Sequence, residues 1–304
     1  MATDVVVAGA DGSPPSLAAV GWAAGDAVRR GAVLRVVHAC EGMDYDLPVF
    51  SEPEYGAAVS EQCRRVLAEA ADLARGRVPG LEVEERLESG PAAEALRRAS
   101  GDAAVLVLGH RGRGGFRELL LGSVPQRLAG HVAVPVVVVQ GEEERGSGEV
   151  AVGFDGSPSS EAALGHAFEE AARRGARVRA VHAWEAPVMG PYTVVYTPML
   201  EEVSTAAEKT AERALAPWME RYPHVPVIRS VVCEHPVVAL REASETADLL
   251  VVGSRGLGRL GSAVLGSVGH GVLHHARCPV VVVPSPENRP AGDGSPDEGA
   301  AAPS

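Results

Sequence analysis

The chain repeats itself at a fixed distance. Asp155 follows Asp11 by 144 residues, His182 follows His38 by 144, and Gly253 and Pro279 follow Gly109 and Pro135 by the same step. DVVVAGADGS at 4–13 is echoed by EVAVGFDGS at 149–157, and RRGA at 29–32 returns at 173–176. The register holds from the first apolar run to the last, with a local slip between Pro91 and Pro236, which stand 145 apart. Such a period is too long for a solenoid, whose repeats run to roughly 20–50 residues. The chain therefore reads as one domain written twice, and 304 residues suffice for two.

Each copy alternates strand and helix signals. VVVAG at 5–9 is a continuous β-branched run, as expected of a strand covered on both faces. Ser13 and Pro14 supply a cap and a helix start, and an Ala-rich helix runs to Arg30 and stops at Gly31. VLRVVHA at 33–39 reads as the second strand. A loop with Tyr45, Pro48 and Pro53 leads to a long helix ending near Arg77. LEVEERL at 81–87 alternates, which predicts a strand nearer an edge. AEALRRAS is helical, AAVLVLGH at 103–110 is a strand, a glycine-rich stretch precedes a helix from about Ser123, and PVVVVQ at 135–140 closes the copy. This alternation predicts an α/β fold in two copies, each a five-stranded parallel sheet flanked by helices. The expected boundaries are 1–140 and 149–284. The polar stretch 141–148 reads as an exposed linker, and 285–304, rich in Pro, Gly and Asp, as a disordered tail.

GHRGRGGFRELLLGS at 109–123 and GSRGLGRLGSAVLGS at 253–267 share little but their spacing. Glycine falls first, fourth and fourteenth, and serine fifteenth. Gly109 and Gly253 end a strand, where glycine permits unusual dihedrals and close approach of a ligand to the backbone. Gly112 and Gly256 extend a bare loop. Gly122-Ser123 and Gly266-Ser267 open the next helix, whose first amides lack internal partners and suit phosphate. Arg111 and Arg255 offer guanidinium groups to the same anion. A loop using glycine only to turn is the plainer reading, but the twofold occurrence between strand and helix favours phosphate. Asp11 and Asp155, each in Asp-Gly-Ser-Pro, read equally as helix caps or as carboxylates at the mouth of the sheet that meet ribose, base or metal.

Other signals narrow the function. A net charge of −12 argues against a nucleic-acid or anionic-membrane partner. No apolar run is long enough to cross a bilayer, and the N-terminus resembles no signal peptide, so a cytoplasmic protein is expected. Cys40, Cys63, Cys233 and Cys278 are scattered and are expected as reduced thiols. His38 and His182 read as buried histidines satisfied by backbone. His270 and His274 have metal-pair spacing, but only His275 keeps a counterpart, His131, so no metal site is expected. GLGRLG at 256–261 fits the dinucleotide fingerprint but follows the wrong strand, and Arg117 stands where the other copy would need its last glycine. The P-loop and GxSxG patterns are absent, and lysine is almost missing.

The G-x2-G-x9-G-[ST] spacing, the first strand running into Asp-Gly-Ser, the VHA-type second strand and the closing PVVVV strand together resemble the universal stress protein family in its tandem actinobacterial form. The resemblance covers about 4–140 and 149–284. It implies Rossmann-like (adenine nucleotide alpha hydrolase-like) domains that bind ATP, AMP or ADP, with or without Mg²⁺, in a regulatory rather than metabolic role. It places Asp11 and Asp155 near adenine and ribose, and Ala39 and Ala183 at the adenine contact. Gly109, Gly112, Gly122, Ser123 and Val124, with Gly253, Gly256, Gly266, Ser267 and Val268, match its phosphate cradle. The chain departs at Pro125 and Gly269, where the family often has Ser or Thr; a hydroxyl is lost twice, and Pro125 also lacks an amide proton. A slow ATPase or autokinase and a nucleotide-free interaction module are the rival readings. Strands 135–139 and 279–283, bare apolar edges if left alone, are expected to pair within the chain across a pseudo-twofold axis, or between chains of a homodimer.

Overall fold

The structure is a computed structural model that describes residues 4–41, 53–113, 120–141, 146–185, 197–256 and 265–285. The loop holding Tyr45 and Pro48, the middle of the linker, Arg117, most of GLGRLG and the tail from 286 lie outside the described residues.

The first half runs β1 (Val5–Gly9), α1 (Pro14–Arg30), β2 (Val33–Cys40), α2 (Pro53–Arg77), β3 (Val83–Ser89), α3 (Ala92–Ala99), β4 (Val105–Gly109), α4 (Ser123–Leu128) and β5 (Val136–Val139). The second runs β6 (Glu149–Gly153), α5 (Pro158–Arg174), β7 (Arg177–Trp184), α6 (Thr197–Arg221), β8 (Val227–Cys233), α7 (Pro236–Ser244), β9 (Leu249–Gly253), α8 (Ser267–His275) and β10 (Val280–Val283). Local chemistry explains the helix ends. The Ser13 and Ser157 side chains accept from the amides of Ser16 and Ser160, at 3.4 and 3.2 Å, and a proline follows each cap. Gly31 and Gly175 close the same helices with φ of 63° and 62°, a left-handed conformation that costs a side chain energy.

All ten strands form one sheet in the order β3-β2-β1-β4-β5-β10-β9-β6-β7-β8. Pairing is parallel within each half. At the centre β5 and β10 pair antiparallel, Val136 facing Val282 and Val138 facing Val280. The two valine strands thus satisfy each other inside one chain, as their bare edges require. Both are fully buried, and the alternating β3 lies at an outer edge with three consecutive exposed charged residues.

The seam is reinforced by charge. Asp26 and Arg30 on α1 meet Glu170 and Arg174 on α5, their own counterparts in the repeat. Arg30 Nε donates to Asp26 Oδ2 at 2.6 Å and Arg174 Nε to Glu170 Oε2 at 3.1 Å. Across the halves Arg30 pairs with Glu170, and Arg174 with Asp26. All four side chains are buried. Burial alone would raise the Glu170 carboxyl, but Arg30, His166, Arg174 and Arg173 overrule it and hold its pKa at about 2 rather than 4.5.

Candidate functional site

The chain leaves β1 for β2 on one side, while β4 lies on the other. This is the switch point at which α/β sheets open a crevice beyond the carboxyl ends of their strands. The same reversal occurs between β6 and β9. Each half has a cavity there, of 610 Å³ in the first and 570 Å³ in the second. Both fall in the range of small-molecule sites, about 300–1,000 Å³.

The first cavity is lined by Asp11, Ala39, Gly109, Arg111, Gly112, Gly122, Ser123 and Val124. The second is lined by Asp155, Ala183, Gly253, Arg255, Gly256, Gly266, Ser267 and Val268. The structure therefore brings all sixteen sequence-selected residues to two crevices, eight to each. Ala39 and Ala183 sit at the ends of β2 and β7, and the glycine turns follow β4 and β9. Two strand spacings separate these flanks, roughly 10 Å. On the β2 side the wall is apolar, with Val37 and Leu96; on the opposite side lie Leu108 of β4 and the glycine turn, beside Arg111, Ser123 and Val124.

The role of the first glycine needs correction. None of the six repeated turn glycines has a positive φ, so unusual dihedrals are not what they provide. A Cβ on Gly109 would instead lie 2.6 Å from the carbonyl carbon of Pro15, and one on Gly253 2.7 Å from the carbonyl oxygen of Ser159. These glycines let the first turn of α1 or α5 press against the strand end. Gly112 and Gly256 lack side chains because a Cβ would strike Asp11 Oδ2 or Asp155 Oδ2.

The aspartates tie one turn to the other. Asp11 Oδ1 accepts from the Ser13 amide at 2.9 Å and the Ser13 hydroxyl at 2.5 Å, while Oδ2 accepts from the Arg113 amide at 2.8 Å. Burial works to raise the Asp11 pKa, but these donors and Ser16 bring it below 3.8. Asp155 Oδ1 likewise accepts from the Ser157 amide at 2.9 Å. The helix caps are thus Ser13 and Ser157, and the aspartates brace the rim of the crevice. His38 and His182 place Nδ1 2.7 Å from the Ala10 carbonyl and 3.0 Å from that of Phe154, the backbone-satisfied role expected of them.

Gly122 and Gly266 donate their amides to His110 and Ser254 carbonyls, at 2.8 and 2.9 Å, which closes the turn. Beyond them Ser123 and Val124 bring amides to the first crevice, where Pro125 has none. Ser267, Val268 and Gly269 bring three to the second.

The cysteine expectation is corrected. Cys40 and Cys63 form a disulfide, with Cα atoms 6.0 Å apart, and both line the first crevice. Their 23-residue separation carried no signal, because α2 folds back over β2 only in the tertiary structure. Cys233 and Cys278 are outside that bond. Val59, Glu41 and Glu185, Arg113 and Phe154 also line the crevices and were not singled out from sequence. Glu41 and Glu185 stand 144 residues apart, so the repeat register alone would have found them.

An α/β chain in two copies, with a glycine-walled crevice at each switch point, defines a class of paired Rossmann-like proteins. The profile of the Universal stress protein family matches residues 3–140 and 148–284, and the chain belongs to that family. It is 40% identical over 287 residues to Universal stress protein Rv2005c of Mycobacterium tuberculosis, covering 91% of this chain and 96% of the relative. A universal stress protein of Mycolicibacterium smegmatis is 36% identical over 293 residues, covering 91% and 96%. The crystal structure of a universal stress protein from Archaeoglobus fulgidus shares the fold, with a TM-score of 0.67 at 22% identity over 93% of this chain and 96% of that one. Among the described residues no helix is long and apolar enough to cross a membrane.

Proposed function

We propose that the chain is a nucleotide-binding regulatory protein whose two crevices each take one adenine nucleotide. The observation that carries this reading is convergence: residues from three separate stretches of each repeat meet around a cavity of nucleotide size, in both halves. In each, an apolar strand-end flank faces a flank of bare turn and backbone amides. The base lies toward Ala39 or Ala183. The phosphates lie toward Gly112, Gly122 and Ser123, or Gly256, Gly266 and Ser267, with Arg111 or Arg255 supplying positive charge. Asp11 and Asp155 hold the rim and meet the ribose with the lone pairs their backbone donors leave over. ATP, ADP and AMP all fit the reading, because Pro125 and Gly269 withhold the hydroxyl that would favour a longer phosphate chain. Mg²⁺ enters only as the counter-ion of those phosphates. A homodimer would have to use surfaces other than β5 and β10, since each of these is already flanked on both sides.

Mass spectrometry of the gently purified full chain tests the reading. Co-purified adenylate and an ATP-dependent rise in Tm are expected. If neither is found, the chain is a nucleotide-free interaction module. Incubation with labelled ATP and Mg²⁺ tests the regulatory role. Turnover well above that of a chain with bulky residues at Gly112 and Gly256 would make it an enzyme.

A further inference from the structure

We propose that the Cys40–Cys63 disulfide is a redox-modification site that sets nucleotide affinity in the first crevice and leaves the second untouched. The inference rests on the nucleotide reading above. Cys40 ends β2, next to Ala39, and Cys63 lies on α2 one turn after Val59. At i and i+4 the two α2 residues share one helix face, and both line the cavity. The bond therefore pins the α2 wall of the crevice to the strand end where the base would sit. The second half is built differently. The repeat register puts Trp184 opposite Cys40 and Ala207 opposite Cys63, and among the described residues lining the second cavity none belongs to α6. Among the described residues, only the first crevice takes part of its wall from the long helix after the second strand of its half, and there that helix is held covalently.

Cys40 and Cys63 are buried, at 1% and 8% exposure, and both border the crevice, which is the route by which a reductant would approach them. A dithiol reductant enters as thiolate and attacks the sulfur of Cys63, the more exposed residue of the pair. The S–S bond breaks, Cys40 leaves as thiolate and takes up a proton, and the reductant's second thiol displaces Cys63. Two electrons and two protons pass to the protein, and the reductant departs as its cyclic disulfide. With the bond open, α2 is no longer tied to β2 and the first crevice loses a fixed wall. By reciprocity, a nucleotide that prefers the oxidised wall makes the disulfide harder to reduce.

The test uses the full chain, ATP as ligand and dithiothreitol as reductant. Alkylation of the unfolded, unreduced chain should label two of the four cysteines, and four after reduction; four before reduction overturns the proposal. Hydrogen exchange with increasing ATP then reads each crevice separately, through 33–41 and 58–77 against 177–184 and 200–221. Reduction should weaken ATP binding at the first crevice by about tenfold and leave the second unchanged. C63A, which copies Ala207, should show the weaker affinity with or without reductant. Should that variant fail to fold, the reduced wild-type chain carries the comparison. Equal affinity in both redox states overturns the latch. If ATP binds neither crevice in either state, the nucleotide reading falls instead. Faster exchange of 58–77 on reduction, with 200–221 unchanged, would then still support the redox-sensitive wall, and unchanged exchange would overturn it.

Discussion

The two crevices are copies with different walls. Both hold an aspartate braced against a serine amide, a histidine on a backbone carbonyl and a glycine pressed against the first helix of its half. These shared features are backbone bonds and close approaches, and a substitution there breaks geometry that the fold cannot recover elsewhere. The differences lie in side chains that only line the space. Ala10, Cys40, Cys63 and Pro125 line the first crevice; their counterparts are Phe154, Trp184, Ala207 and Gly269, of which Phe154 and Gly269 line the second. The scaffold of a site and its lining have thus diverged to different degrees within one chain.

The largest effect should come from the seam on which both crevices depend. E170Q leaves Arg30 and Arg174 short of a buried partner and should cost about 3 kcal/mol in urea unfolding, because breaking a buried pair strands its charges. Its symmetry mate D26N should cost a similar amount; a much cheaper D26N would show that the two halves load the seam unequally. The pH dependence follows from the lowered Glu170 pKa. Its contribution is complete above pH 4.5 and is lost as pH falls toward about 2. The E170Q chain should show a flatter stability profile across that window.

Next come the packed glycines. G109A and G253A each force a methyl group onto the backbone of the first turn of α1 or α5 and should cost about 2 kcal/mol apiece by thermal unfolding. A clear inequality between them would break the claim that the two scaffolds are alike. D11N comes third. It weakens a carboxylate that binds Ser13 and Arg113, and should cost about 1 kcal/mol at neutral pH. Because the Asp11 pKa is lowered, that cost should be present above pH 3.8 and shrink as pH falls below it. The smallest change sharpens the difference in lining. P125G gives the first crevice the amide that Gly269 gives the second, and should tighten its ATP affinity by a few-fold, as one added hydrogen bond does. Calorimetry reads it directly.

How much of this was legible follows from the same division. The strands, the ends of α1 at Gly31 and α2 at Arg77, the antiparallel seam and the sixteen crevice residues all carry local or repeated signals: β-branched runs, caps, glycine spacing and a constant offset. What escaped depends on contacts between distant segments. Nothing near Gly109 announces that Pro15 will lie against it, and nothing near Cys40 announces that α2 will bring Cys63 to it. The charge cross of Asp26, Arg30, Glu170 and Arg174 was in plain view in the repeat, yet helix-surface charges at i, i+4 look alike whether they face water or a partner.

The joined valine strands have a consequence for how such a molecule can change. A dimer of identical chains comes apart on dilution and must carry every substitution at two symmetric places at once. Here the second copy is tethered, so the pairing persists at any concentration, and one half can acquire a cysteine pair or a proline while its sibling stays as it was. Fusion converts an enforced symmetry into two positions that natural selection can tune separately.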